Sequence, residues 1–416
     1  MNSSAALKDD RKLTYLNVEG ADKPLISPVP DMVLNRARKY RLQRLRDHLD
    51  QSDCAALLLY DPCNIRYAFD CSNMQVWTLH NPMRYALILA GGPAIMFEFK
   101  GCLHQSEGLP GIDEIRIAKT WIFMASGDKV GTTIQDWADE ITDLIREYGG
   151  GNTRIACDTL AGSGVHALEA RGLSYIEGTQ ITEIARSIKS ADEIELMRWT
   201  IHVCEAGMAR IYDHSLPGVT ERELWAHLHF ENARSGGDWL ETKLLTCGPR
   251  TNPWYQECSN RVCQAVELIS FDTDMIGPYG YCADLSRSWT CGYTKMTGTQ
   301  RRLYDTALDQ IYDNLSLVRP GTSFTEFNEM SWRIPDAHVP YRYSLAVHGV
   351  GMADEWPVVP LHVDWGPGAM SGRFESGMVV CVESLMAEEG SESVKLETQV
   401  LVTDKGYERL DCFPFE

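Results

Sequence analysis

The sequence predicts an α+β protein of two domains, and three observations predict it. The chain has 416 residues, more than one ordinary hydrophobic core organises. Hydrophobic residues make up 44% and charged residues 23%, the balance of a folded globular chain. Helix and strand patterns alternate over residues 31–185, whereas residues 186–416 open with helices and end mainly in strands.

Each element follows in order. Residues 1–30 are polar and carry prolines, and an extended arm is expected there. Asp31–Asp50 places Leu34, Tyr40, Leu42, Leu45 and Leu49 at helical spacing. Ala55–Tyr60, Tyr85–Leu89 and Ala94–Phe99 read as buried strands. Lys129–Tyr148 reads as a second amphipathic helix, stopped by Gly149, Gly150 and Gly151, and Arg154–Cys157 as another strand. The domain boundary falls near Ser187. Ser190 with Glu193 three residues on has the capping-box pattern and predicts a long helix to about His214. Thr220 and Glu223 repeat that signal for a second helix. Strands are expected near 241–247, 266–275 and 282–291, helices over 298–318 and after Ser323, and mainly strand from there to Phe415.

Composition narrows the function. A formal net charge of −19 argues against unaided binding to nucleic acid or an anionic membrane and is consistent with a cationic or neutral small substrate. The 13 cysteines are odd in number and hold no CxxC pair, Cys258 and Cys263 being the closest two, which reads as reduced thiols in a cytoplasm. Met1–Asp10 lacks the apolar stretch of a signal peptide. The apolar run Tyr85–Phe99 is broken by Gly91, Gly92 and Pro93 and is too short to span a bilayer.

The chemistry concentrates in acids. Asp272 and Asp274 follow the apolar run Val266–Ile269. Residues two apart on a strand share a face, so both carboxylates aim at one point. Like charges there call for a proton or a cation. Asp284 lies ten residues on, on the expected returning strand. Alone, these three read equally well as solvated loop acids. Glu383 ends the apolar strand from Gly377, and Glu397 lies among the strand formers Val394–Val402. A carboxylate in such a strand needs a salt-bridge partner or a metal. His348 heads His348-Gly-Val-Gly351, where glycines permit close backbone approach. Five acids and one imidazole suit a paired site for Mn, Fe, Co or Zn.

With these residues in this order the sequence resembles the pita-bread metallopeptidase family, which includes methionine aminopeptidase, aminopeptidase P, prolidase and creatinase. The resemblance covers nearly the whole chain: Arg44 to Tyr67 is similar to the start of a creatinase-type N-terminal domain, and Lys189–Arg198 to the first helix of the catalytic domain. It implies a creatinase-like α/β domain over 31–185 and a pita-bread catalytic domain over 186–416. It also implies two divalent metal ions and a homodimer in which the partner's N-terminal domain would wall the pocket. In the family's pattern Asp272 binds one ion, His348 and Glu383 the other, Asp274 and Asp284 one or both, and Glu397 bridges. Two departures stand out. Family peptidases carry a His where this chain reads Asn252-Pro253-Trp254, and a second where it has Glu355. Every metal ligand is kept while the two peptide-handling histidines are lost, which points away from peptide hydrolysis. The stretches Phe271–Tyr281 and His348–Pro357 resemble family members that cleave dimethylsulfoniopropionate to dimethyl sulfide and acrylate, with iron as the metal.

That resemblance implies a β-elimination, which needs a base for the α-proton and an electrophile on the carboxylate. Asp354, six residues after His348, is the candidate base, a surface acid being the plainer reading. Aromatic faces would hold the sulfonium, Tyr343 first and then Trp254 and Trp356, against the plainer reading of core aromatics. Five ligand carboxylates, two divalent ions and Asp354 leave a charge of about −2, which favours a cationic substrate. The rival reading is an Xaa-Pro dipeptidase or aminopeptidase P in which Glu355 replaces the missing His. A non-catalytic binding module would more commonly have lost metal ligands.

Overall fold

The protein is described by a computed structural model that covers residues 23–366 and 370–415. The expected arm therefore lies outside the described residues up to residue 22. Contacts divide the chain into two units, Pro30–Arg186 and Ser187–Glu416, and residues 23–29 go with the second. There the Leu25 amide donates to Ser235 Oγ, and Ser27 Oγ meets the Tyr279 hydroxyl at 2.6 Å.

The first unit is a six-stranded mixed sheet with helices. Its strand order is Glu114–Ile117, Ala94–Glu98, Tyr85–Leu89, Ala56–Leu59, Arg154–Cys157 and Ser174–Glu177. The central strands are apolar and wholly buried, as their sequence demands. The two edge strands, Glu-Ile-Arg-Ile and Ser-Tyr-Ile-Glu, mix polar and apolar residues and stay partly exposed, so they carry no apolar run to announce them. Helix Asp31–Gln51 buries Val33, Ala37, Arg41, Leu45 and Leu49. The expected face is thus corrected. Leu34, Tyr40 and Leu42 flank it half-buried, and Arg41 enters the buried stripe because Asp70 lies 3.6 Å from its guanidinium.

In the second unit helices Ala191–Asp213 and Glu221–Arg234 begin at full capping boxes on Ser190 and Thr220. They pack so closely at Gly207 that a Cβ there would strike Leu228. An all-antiparallel five-stranded sheet follows, in the order Asp354–Pro360, Leu345–Val350, Val379–Met386, Val394–Thr403, Gly406–Arg409. Its two long central strands have a simple logic. Val380, Val382, Leu396, Val400 and Val402 join the core with Leu303, Ala307 and Ile311 of helix Gly298–Leu315. The residues between them, Cys381, Glu383, Lys395, Glu397 and Gln399, are buried on the opposite face. Strand alternation thus gives one face to the core and the other to polar chemistry.

One expectation about the cysteines is overturned. Cys247 and Cys263, 16 residues apart, form a disulfide, while the other eleven are free thiols. The bond closes the loop that carries Trp254. Among the described residues no helix is long and apolar enough to cross a membrane.

Candidate metal centre

Three pieces of chain bring the acids together. The strand Leu268–Asp272 ends at Asp272, and Asp274 follows at φ +34°, outside any strand. Strand alternation alone therefore does not align the pair, as the spacing suggested. The turn is pinned instead by Thr273, whose Oγ1 donates to the Ala283 carbonyl at 2.9 Å and accepts from the Leu285 amide at 2.9 Å. Those bonds clamp the turn to the segment carrying Asp284, and ligand oxygens of Asp272, Asp274 and Asp284 lie within 4.8 Å of one another. Gln399 holds Asp284 from the third side, accepting from its amide at 3.2 Å.

The long sheet supplies the rest. Glu383 and Glu397 are directly opposed in register, and His348 is opposed to Cys381. Opposed like charges are unfavourable unless a cation lies between them. His348 Nε2 is 3.1 Å from Glu397 Oε1, 3.3 Å from Asp284 Oδ2 and 3.7 Å from Glu383 Oε1. Its Nδ1 faces the Gly349 carbonyl at 3.1 Å. Asp284, His348, Cys381 and Glu397 form a second group with donor atoms within 4.8 Å.

The donor set fits divalent ions. Asp284 Oδ1 and Glu383 Oε1 are buried without a hydrogen-bond partner, a costly state for carboxylate oxygens that a cation would relieve. The electrostatics of the cluster agree. Burial and the facing carboxylates push Asp274 and Asp284 well above the usual carboxylate range. Burial raises Glu383 to about 8 against the pull of Lys395. Burial opposes ionisation of Glu397 too, yet Lys395 and His348 together hold it below its ordinary value. His348 rises despite its burial, because Asp284 and Glu397 accept from it.

Lys395 was missed in the sequence. Its side chain is wholly buried, and its ammonium donates to Glu383 Oε2, Glu397 Oε2 and Ser286 Oγ, each at 2.9 Å, with Asp272 Oδ2 at 3.1 Å. The signal was available: Lys395 is two residues before Glu397 on one strand and so shares its face. Cys381 stands in the same relation to Glu383.

The remaining candidates separate. Asp354 opens the strand Asp354–Pro360, with Oδ1 3.8 Å from His348 Nδ1 and a side chain 58% exposed. Desolvation in the crowded pocket and the facing Glu397 and Asp272 raise its pKa, while His348 opposes them. Tyr343 packs with Trp254, Leu244 and Leu385, and Tyr255, 62% exposed, lies ring to ring with Tyr343 at 5.4 Å. The Lys395 ammonium lies 4.9 Å from the Tyr343 ring and 6.0 Å from the Trp254 ring. Trp356 is elsewhere, edge-on to Phe324 at 5.7 Å. Glu355 is fully buried in an ion pair with Lys189.

The fold and this centre define a two-unit metal-dependent enzyme. Residues 195–404 match metallopeptidase family M24, and the chain belongs to that family. It is 41% identical over 394 residues to dimethylsulfoniopropionate lyase DddP of Roseobacter denitrificans, covering 93% of this chain and 88% of that protein. The lyase DddP of Roseovarius nubinhibens is 40% identical over the same shares. Among solved structures, an Xaa-Pro dipeptidase from Bacillus anthracis superposes with a TM-score of 0.74 at 20% identity, covering 91% of this chain and 99% of that one. This last likeness speaks for the fold alone.

Proposed function

We propose that this chain is a carbon–sulfur lyase that cleaves dimethylsulfoniopropionate to dimethyl sulfide and acrylate. The observation that carries the reading is a solvent-open carboxylate, Asp354, beside a buried carboxylate–imidazole centre with unspent oxygens. The 41% identity to a lyase of that name supports the substrate.

Divalent ions held by Asp272, Asp274, Asp284, His348, Glu383 and Glu397 would supply the Lewis acidity that stabilises charge developing on the substrate's carboxylate. Asp354 takes the α-proton at a carboxylate oxygen. The C–H electron pair becomes the new C=C bond as the C–S bond breaks, and the C–S bonding pair leaves with sulfur as neutral dimethyl sulfide. The leaving group needs no acid, so the absent peptidase histidines cost this reaction nothing. The upward push on Asp354 suits it to accept a proton. Tyr343 is assigned first to the sulfonium and Trp254 after it, while Trp356, packed on Phe324, comes last. Lys395 changes the charge count: with its ammonium added, the expected −2 becomes about −1, which still favours a cationic substrate.

Iron as the resident metal, a homodimer as the assembly and the cytoplasm as the compartment complete the proposal. Oxygen donors with one imidazole suit iron, the family resemblance supports the dimer, and eleven free thiols support a reducing compartment against one disulfide. The peptidase alternative loses support at Glu355, whose carboxylate is committed to Lys189.

The test incubates iron-loaded protein with dimethylsulfoniopropionate and measures headspace dimethyl sulfide. Asp354→Ala should lower kcat by about 10²- to 10⁴-fold with metal content unchanged, and His348→Ala should lose metal and activity together. No release from fully metallated wild type, or cleavage of Xaa-Pro dipeptides instead, would sink the lyase reading.

A further inference from the structure

The centre contains a cation of its own. Lys395 has three N–H bonds, and all three are spent, on Glu383, Glu397 and Ser286. Nothing is left over to grip a substrate carboxylate. The ammonium also lies 4.9 Å from the Tyr343 ring and 6.0 Å from the Trp254 ring. Its partners are not spare acids: Asp272, Glu383 and Glu397 all belong to the candidate ligand set. Five ligand carboxylates less one ammonium leave four negative charges, the number that two divalent ions neutralise.

We propose that Lys395 is an internal counter-ion that shares its carboxylates with the metal, holding the metal-free centre together and weakening ion binding. The inference rests on the metal-centre reading above. Without a cation, Glu383 and Glu397 face each other across the ladder in a buried layer. Lys395 takes one oxygen from each and leaves the other turned to His348. These contacts hold both carboxylates in place without calling on an ion. Each ion that enters then meets a fixed positive charge on the same carboxylates, and coupling of this kind is reciprocal. Lys395 is thus a positioning residue.

The experiment compares wild type, Lys395→Met, Lys395→Arg and His348→Ala. Manganese(II) is the probe, its affinity is measured by competition with a chelator, and thermal unfolding is followed with and without manganese. Lys395→Met should bind manganese about tenfold or more tightly, because a like charge has been removed from a low-dielectric site. Its metal-free form should melt well below wild type, and saturating manganese should close most of that gap. Lys395→Arg, which keeps the charge, should stay close to wild type on both readings. Equal or weaker manganese binding by Lys395→Met overturns the proposal. So does a Lys395→Met protein that fails to fold even when expressed and purified in manganese, whereas one that folds only with manganese supports it. If His348→Ala binds manganese as wild type does, the metal-centre reading itself has failed.

Discussion

Replacing Lys189 by Met tests the pair that separates this chain from a peptidase. Lys189 Nζ sits against Glu355 Oε1 with side-chain exposures of 2% and 0%, and also reaches the Ser187 carbonyl at 3.4 Å. The carboxylate packs directly on Gly351, where a Cβ would collide with it. Removing the ammonium takes the salt-bridge cation from a buried carboxylate, which costs about 3–5 kcal/mol. In a unit of this size each kcal/mol shifts the midpoint by about 2–4 °C, so a fall of roughly 6–20 °C is expected. Adding Glu355→Gln to the same chain should recover more than half of the loss, since the buried charge is gone. The assay is urea unfolding followed by tryptophan fluorescence on all four members of the double-mutant cycle, with metal content checked in each. A single-variant loss below about 1 kcal/mol, or no recovery in the double variant, would refute the claim that Glu355 is held by Lys189.

Two further outcomes follow from the same geometry. Glu383, raised to about 8 from 4.5, binds an extra proton in the folded, metal-free chain. The stability it contributes is full below about pH 4.5 and is lost as pH rises through 8. Ions need that carboxylate ionised, so manganese affinity should climb from pH 6 to 8 with proton release, which calorimetry in buffers of different ionisation enthalpy would measure; a flat profile contradicts it. Tyr343→Leu should raise KM for dimethylsulfoniopropionate by about five- to thirtyfold with kcat little changed, as loss of a cation–π contact of about 1–2 kcal/mol implies; an unchanged KM removes Tyr343 from the sulfonium site.

Much of this protein was legible because its signals are local. Ser190 with Glu193 and Thr220 with Glu223 announce their helices within four residues, and the apolar strands announce themselves by their runs. Among the six candidate ligands, Glu383 and Glu397 stood out because acids inside apolar strands are anomalous. What escaped depends on distant partners. Arg41 is buried through Asp70, and Lys395 through three carboxylates from two other strands and its own. The kink between Asp272 and Asp274 comes from Thr273 bonding across to residues 283 and 285. Cys247 and Cys263 pair across 16 residues of chain with nothing in their spacing to mark them.

The two-faced strands Val379–Met386 and Val394–Thr403 limit how a chain like this can change over generations. Substitutions on either face act one position at a time, but inserting or deleting a single residue would exchange the faces, sending valines into the acid cluster and carboxylates under helix Gly298–Leu315. Length variation is therefore barred from these strands and free only in their connections. The count of residues in each strand, rather than the identity of any one, is what a lineage must hand down intact.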